Sequence, residues 1–320
     1  MQRPALLISL FILTLNLNAQ FSQQAIDLTE RGIKHYESGN FELALEKLTK
    51  AIEITSKPQV SSKVRRNSLF QAPVESELRD RITIHDPITA AAYLNRGHVH
   101  FARAKMDLAI ADYSEAIRIL PGGKDAYAAR SQAYLAQGKT DRAIDDAARS
   151  VKIDPKFPRG HIALGMAYQD AGRLKEAMDC AEKAVQLEPD NAEAYFRRGD
   201  FNRLLGNVEA ALKDFSKANE IDPSFGSPYI GRGAISFDQK KYEEAVSYYT
   251  MALERDARML QARKFRGYAY LGLGKDKEAK RDFAAVLAVA PQMREEIESA
   301  SALMGRVLAA DNANPTASKP

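Results

Sequence analysis

Four arginines in this 320-residue chain are each followed, sixteen residues later, by an aspartate: Arg96 and Asp112, Arg130 and Asp146, Arg198 and Asp214, Arg266 and Asp282. A guanidinium fork and a carboxylate form a bidentate, charge-assisted pair, so the chemistry on offer is an internal ion pair or a basic column open to anions. Two more arginines, Arg31 and Arg232, stand in the same column but meet Lys47 and Tyr248 at the sixteenth residue. Where the arginine gives way to Leu164, the acid gives way as well, to Cys180. Loss of both partners together favours the internal pair, which leaves Arg31 and Arg232 without an acid by this rule.

Little else in the chain assembles into reactive chemistry. The histidines are His35, His85, His98, His100 and His161. His98 and His100, two apart, point to different sides of a helix. No HExxH zinc pattern, GxxxxGK[ST] phosphate loop or GxSxG elbow is present. Cys180 is the only cysteine, which excludes a disulfide within the chain. A net charge of +4, with basic and acidic residues interleaved, gives no basic stripe for nucleic acid. Neither a catalytic site, a metal site nor a cofactor is expected.

The elements that set Arg and Asp level are short helix pairs. In His161–Pro189, Leu164, Tyr168 and Ala171 recur at helical spacing, Gly172 turns the chain, and Ala177, Ala181, Ala184 and Leu187 form a second stripe that Pro189 ends. Small residues at Gly165 and Ala177 let two antiparallel helices approach closely. The arginine lies eight residues before the turn and the aspartate eight after it, hence their level placement. The pattern repeats every 34 residues: Gly199, Gly206, Ala211 and Pro223, then Gly233 and Ala245, then Gly267, Gly274, Ala279 and Pro291. Backwards it gives Tyr134, Gly138, Ala143 and Pro155, then Gly97, Ala109 and Pro121; Gly32, Gly39, Ala44 and Ala51 form a seventh copy out of step. His35 and His100 take the slot held elsewhere by Tyr134, Tyr168 and Tyr270, which assigns them to packing.

This period and signature resemble the tetratricopeptide repeat, over about residues 25–291. Local departures are Ser131 for the first-helix glycine, Ala104 and Lys240 for the turn glycine, and Ala257 for the closing proline. The resemblance implies an all-α fold, a right-handed α-solenoid of seven helix-turn-helix units with a C-terminal capping helix. The expected organisation is a signal peptide over 1–19 (Arg3, then the apolar run Ala5–Leu15), a first repeat over 25–58, and an insert over 59–89 that forms a loop. Six contiguous repeats over 90–291 follow, then a capping helix over 292–308 and a disordered tail over 309–320.

The resemblance also implies ligand binding on the inner face of the first helices. Projected onto this sequence, that face carries Leu94, His98 and Phe101, then Gln132 and Leu135, then Ile162, Met166 and Gln169. Phe196, Asp200 and Arg203 follow, with Ile230 and Phe237, and lastly Tyr268 and Leu271. Phe101, Phe196 and Phe237 are expected to offer open rings to a partner, although packing between repeats competes for the same residues. The family's carboxylate clamp for chaperone C-termini is unsupported, since only Asn95 falls in a suitable place. The expected function is a non-enzymatic, exported, periplasmic or envelope scaffold that grips a protein or peptide segment, with no nucleic acid, small-molecule substrate or cofactor. Membrane contact is expected only through an uncleaved signal. A structural assembly subunit using its outer face or the 59–89 insert is the alternative.

Overall fold

The computed structural model describes residues 23–56 and 87–313. Every regular element among them is helical. In chain order they are α1 (23–37), α2 (Phe41–Ser56), α3 (Pro87–Ala102), α4 (Met106–Ile119), α5 (Lys124–Leu135), α6 (Thr140–Ile153), α7 (Pro158–Asp170) and α8 (Leu174–Leu187). There follow α9 (Ala192–Leu204), α10 (Val208–Ile221), α11 (Ser227–Asp238), α12 (Tyr242–Arg255), α13 (Leu260–Gly272), α14 (Asp276–Val289), a short 3-10 turn (Pro291–Met293) and α15 (Arg294–Ala313). Odd-numbered helices up to α13 open a repeat and even-numbered ones close it, so the architecture is an all-α solenoid of seven hairpins followed by one helix.

The chain divides into two compact units, one up to Arg173 and one from Leu174. In the first unit, α5 touches α3 and α7 as well as α4 and α6. In the second, α11 touches α9 and α13 as well as α10 and α12, and α15 packs against α13. First helices therefore contact their counterparts in neighbouring repeats and form a continuous layer within each stack.

Several termini are written into the sequence. Proline in the first turn opens α7 (Pro158) and α11 (Pro228), where its missing N–H is one the helix leaves unpaired anyway. Asn191 caps α9, its side chain accepting from the Ala194 amide at 3.0 Å. Two boundaries differ from expectation. Helix α3 begins at Pro87, so residues 87–89 of the expected insert are its first turn, the aspartate–proline step opening a helix as Pro158 does. Helix α15 runs to Ala313, five residues into the expected tail, because nothing before Pro315 breaks an alanine-rich stretch. The expected signal, most of the insert and residues 314–320 lie outside the described residues.

What holds four of the hairpins shut is a close approach at one point. A Cβ added to Gly97 would lie 2.5 Å from the Tyr113 ring; at Gly199 it would meet Phe215 at 2.8 Å, at Gly233 Tyr249 at 2.5 Å, and at Gly267 Phe283 at 2.5 Å. Each pair is sixteen residues apart, and each ring fills the space a side chain on the facing helix would need. Phe215 also lies against Gly231 of the next repeat and is fully buried. In the third repeat the volumes trade places: Ser131 stands for glycine, the residue sixteen on is Ala147, and the buried Ser131 hydroxyl donates to the Ala143 carbonyl at 2.8 Å.

The hairpin turns carry the other constraint. Gly39, Gly138, Gly172, Gly206 and Gly274 all have φ between 67° and 82°, and the two substitutions noted in the sequence, Ala104 and Lys240, adopt the same left-handed backbone at φ 55° and 58°. A Cβ there costs about 1 kcal/mol. Replacement of Lys240 by Gly is expected to raise stability by about 1 kcal/mol in chemical denaturation, whereas the Gly206→Lys change should lower it by a similar amount.

Candidate binding face

Helix geometry brings all four arginine–aspartate pairs together. Arg96 donates to Asp112 through Nε at 2.9 Å and Nη2 at 2.7 Å. Arg130 holds Asp146 at 2.7 and 2.9 Å, Arg198 holds Asp214 at 2.9 and 2.6 Å, and Arg266 holds Asp282 at 2.8 and 2.9 Å. All four aspartates are buried. In each pair the hydrogen bond to the carboxylate is the main reason the guanidinium holds its proton more firmly than usual. The column is spent on structure.

A second tie was not read from the sequence. The remaining arginine nitrogen of three of these residues reaches back to a hydroxyl of the preceding repeat: Arg130 Nη1 to Ser114 at 2.9 Å, Arg266 Nη1 to Thr250 at 3.1 Å, and Arg96 Nη1 to Thr49 at 3.3 Å. Arg232 does the same to Ser216 at 2.7 Å. The signal was present, because Ser114, Thr250 and Ser216 lie sixteen residues before their arginines. Arg232 faces Tyr248 with its guanidinium 5.9 Å from the ring centre, and its Nε is buried without a partner. Arg31 instead pairs with Asp27 one turn away on its own helix, at 3.0 Å.

The residues projected to an inner binding face divide by what they touch. Leu94 and Phe101 pack on the cluster of Ala109, Tyr113, Ala129 and Ala133. Ile162 is buried at 2% exposure and offers nothing to a partner. Gln132, Leu135, Met166 and Gln169 are half-buried. In the second unit Phe196 packs on Phe215 and edge-on to Phe225, at ring distances of 6.0 and 5.4 Å. Phe237 sits edge-on to Tyr242 at 5.4 Å, and Ile230 bridges two clusters. The open rings expected at Phe101, Phe196 and Phe237 are thus half-buried contacts, because each ring is met by side chains of the second helix of its own hairpin, and Phe196 also by Phe225 from the following loop. Asp200 and Arg203, one turn apart, pair at 2.8 Å. Asn95 donates to the Ala91 carbonyl of its own helix at 2.8 Å.

His98 is the most perturbed titratable group on this face. Its Nδ1 lies 3.0 Å from the Tyr113 hydroxyl, a hydrogen bond across the second hairpin. Burial, reinforced by Arg159 and partly opposed by Asp125, pushes the imidazole down to about 4, so it is neutral near pH 7. His100, on the other side of α3, lies 3.7 Å from Asp112 and is lowered by burial. Cys180 is buried, with its thiol pushed up to about 11 chiefly by burial. Tyr268 is half-buried with its hydroxyl unpartnered, and Leu271 packs in the same cluster around Phe283.

Residues 94–158 and 162–224 match the family model described as tetratricopeptide repeat. Solved structures share the fold. A tetratricopeptide repeat protein from Parabacteroides merdae is 17% identical, with a TM-score of 0.59 over 88% of this chain and 99% of its own. A thermophilic TPR protein of Thermus thermophilus is 21% identical, with a TM-score of 0.53 over 57% of this chain and 99% of its own. A chain of the APC/C hetero-tetramer Cut9–Hcn1 is 16% identical, with a TM-score of 0.57 over 86% of this chain and 55% of its own. No curated protein sequence matches significantly.

Replacing Asp214 by Ala strands the Arg198 charge and is expected to cost about 3 kcal/mol in urea denaturation, while the double change with Arg198→Ala costs less than Asp214→Ala alone. For His98 the folded-state value lies below the unfolded one. Its contribution is therefore complete above about pH 6.5 and is lost as pH falls toward about 4. A His98→Gln variant should show a flatter fall in stability across that window when melting is followed against pH.

Proposed function

Because the chain belongs to the tetratricopeptide repeat family, we propose that it is a non-enzymatic scaffold whose first-helix faces hold a segment of a partner protein. The observation that carries this reading is the division of labour just described. The reactive-looking arginines, aspartates and half-buried His98 are committed to internal bonds, whereas the inner layer keeps half-buried polar and apolar side chains available. Within the second unit, Asp200, Arg203 and the outer edges of Phe196 and Phe237 provide polar handles beside apolar area, the mixture that an extended or helical peptide needs. Within the first, Gln132, Leu135, Met166 and Gln169 do so. An exported location fits the same reading, on the apolar run Ala5–Leu15 that follows Arg3.

The inner rings support packing, so a phenylalanine truncation lowers stability and binding together and is a poor test. Asp200 and Arg203 pair with each other, and removing both leaves no unbalanced charge. The double variant Asp200→Ala, Arg203→Ala is expected to melt within about 1 kcal/mol of the parent, yet to lose binding of the captured partner by about tenfold. Partner affinity should be measured by titration after capture from the native envelope and mass-spectrometric identification. Unchanged affinity in a correctly folded variant would remove the second unit's inner face from the binding site.

A further inference from the structure

The seat of α15 holds more than a cap requires. Lys264 of α13 is only 7% exposed, lies over the Phe265 ring at 5.1 Å, and donates to Glu296 of α15 at 2.6 Å. A buried ammonium needs an anion beside it, and here the anion comes from a side chain that is itself 55% exposed. One turn along α13, the Tyr268 hydroxyl is buried with no hydrogen-bond partner. Ser301 Oγ on α15 is buried and unpartnered too. The apolar half of the seat is filled by Ile297 at 3% exposure, packed in the cluster of Phe283 and Val286. It is the one fully buried side chain of α15 among residues 294–306, while Leu303 stays 56% exposed. The helix thus neutralises the lysine and plugs one apolar hole, but leaves two hydroxyls unsatisfied, each at a cost that a better-fitting helix would avoid.

We propose that the α13 surface around Lys264, Tyr268 and the Ile297 seat is a docking site for an acidic amphipathic helix of a partner protein, held in the free chain by α15 as a stand-in. The occupant follows from what the site now accepts: a helix with a carboxylate in its first turn for Lys264 and a branched apolar residue beside it. Lys264 and Tyr268 belong to the same first-helix layer, so the inference rests on the reading that this layer receives a protein segment. Displacement couples binding to release of the C-terminal helix, and affinity is reduced by the fraction of time α15 is home.

The probe is a fluorescent peptide of residues 291–313, added in trans to the full chain and followed by anisotropy. An intramolecular helix competes at an effective concentration near millimolar. The wild-type chain should therefore bind the peptide at least about tenfold more weakly than an Ile297→Asp chain, whose own helix no longer seats. Adding Lys264→Ala to that chain, or Glu296→Gln to the peptide, should each cost about tenfold. Equal affinity of wild-type and Ile297→Asp chains, or indifference to Lys264, would overturn the proposal. Should Ile297→Asp disturb the last repeat by circular dichroism, Glu296→Lys loosens the helix by like charge at a half-exposed position and serves in its place. Concentration-dependent dimers of the wild-type chain in sedimentation would make a second copy's α15 the occupant, and the partner helix would be discarded. No inner-face variant at Asp200 or Arg203 enters this assay, so failure here leaves the scaffold reading standing, and the converse holds.

Discussion

The structure depends on how closely two antiparallel helices can approach at one level of each hairpin. Where Gly97, Gly199, Gly233 and Gly267 remove the side chain from one helix, a ring from the other fills the space. At Gly97, Gly199 and Gly267 that approach also sets the arginine beside the glycine opposite the aspartate beside the ring, close enough for two hydrogen bonds. In those three hairpins apolar fit and ion pair coincide. A bidentate pair tolerates little displacement, so it registers the hairpin, while the ring supplies the apolar burial. Each can also stand alone: Arg130 and Asp146 keep their pair where Ser131 and Ala147 replace glycine and ring, and Gly233 keeps its ring, Tyr249, where Arg232 has no aspartate opposite.

Much of this was legible because the constraint is written at a constant spacing. Arg198 and Asp214 can be placed level from the turn position alone, and the joint absence at Leu164 and Cys180 gave the sense of the column. The ring opposite each glycine follows the same rule. Less legible was anything that depends on a neighbouring repeat. Phe196 looks available on a single helix, but its ring meets Phe225 from the loop after α10, and no intra-repeat spacing predicts that. The backward ties to hydroxyls were hidden partly by chemistry, since serine and threonine on a helix usually bond their own backbone, as Ser216 does to Leu212 while also accepting from Arg232. Lys264 could not be interpreted before α15 was seen beside it.

The ends of elements show the limits of local signals. Pro87 reads equally as the close of a loop or the opening of a helix, and the buried Thr89 and Ala90 behind it decide for the helix. At the turns the fold overrides residue preference: Ala104 and Lys240 accept positive φ because the hydrogen bonds and packing of the hairpin on either side require it. Turn strain of this kind is spread over single residues and leaves the repeat geometry unchanged.

The backward reach of the arginine has a genetic corollary. Arg96, Arg130 and Arg266 each take an acid from their own repeat and a hydroxyl from the one before, so these cassettes carry a plug for the socket that precedes them. Duplicating such a cassette regenerates the acid tie in full and the hydroxyl tie wherever the preceding second helix offers serine or threonine. The tie is also indifferent to how much chain lies between its ends: Ser114 and Arg130 are sixteen residues apart, whereas Thr49 and Arg96 are forty-seven apart and still meet at 3.3 Å. A junction between two repeats is thus a place where extra sequence can be accepted without loss of this tie, and the boundary after α2 is where this chain carries it.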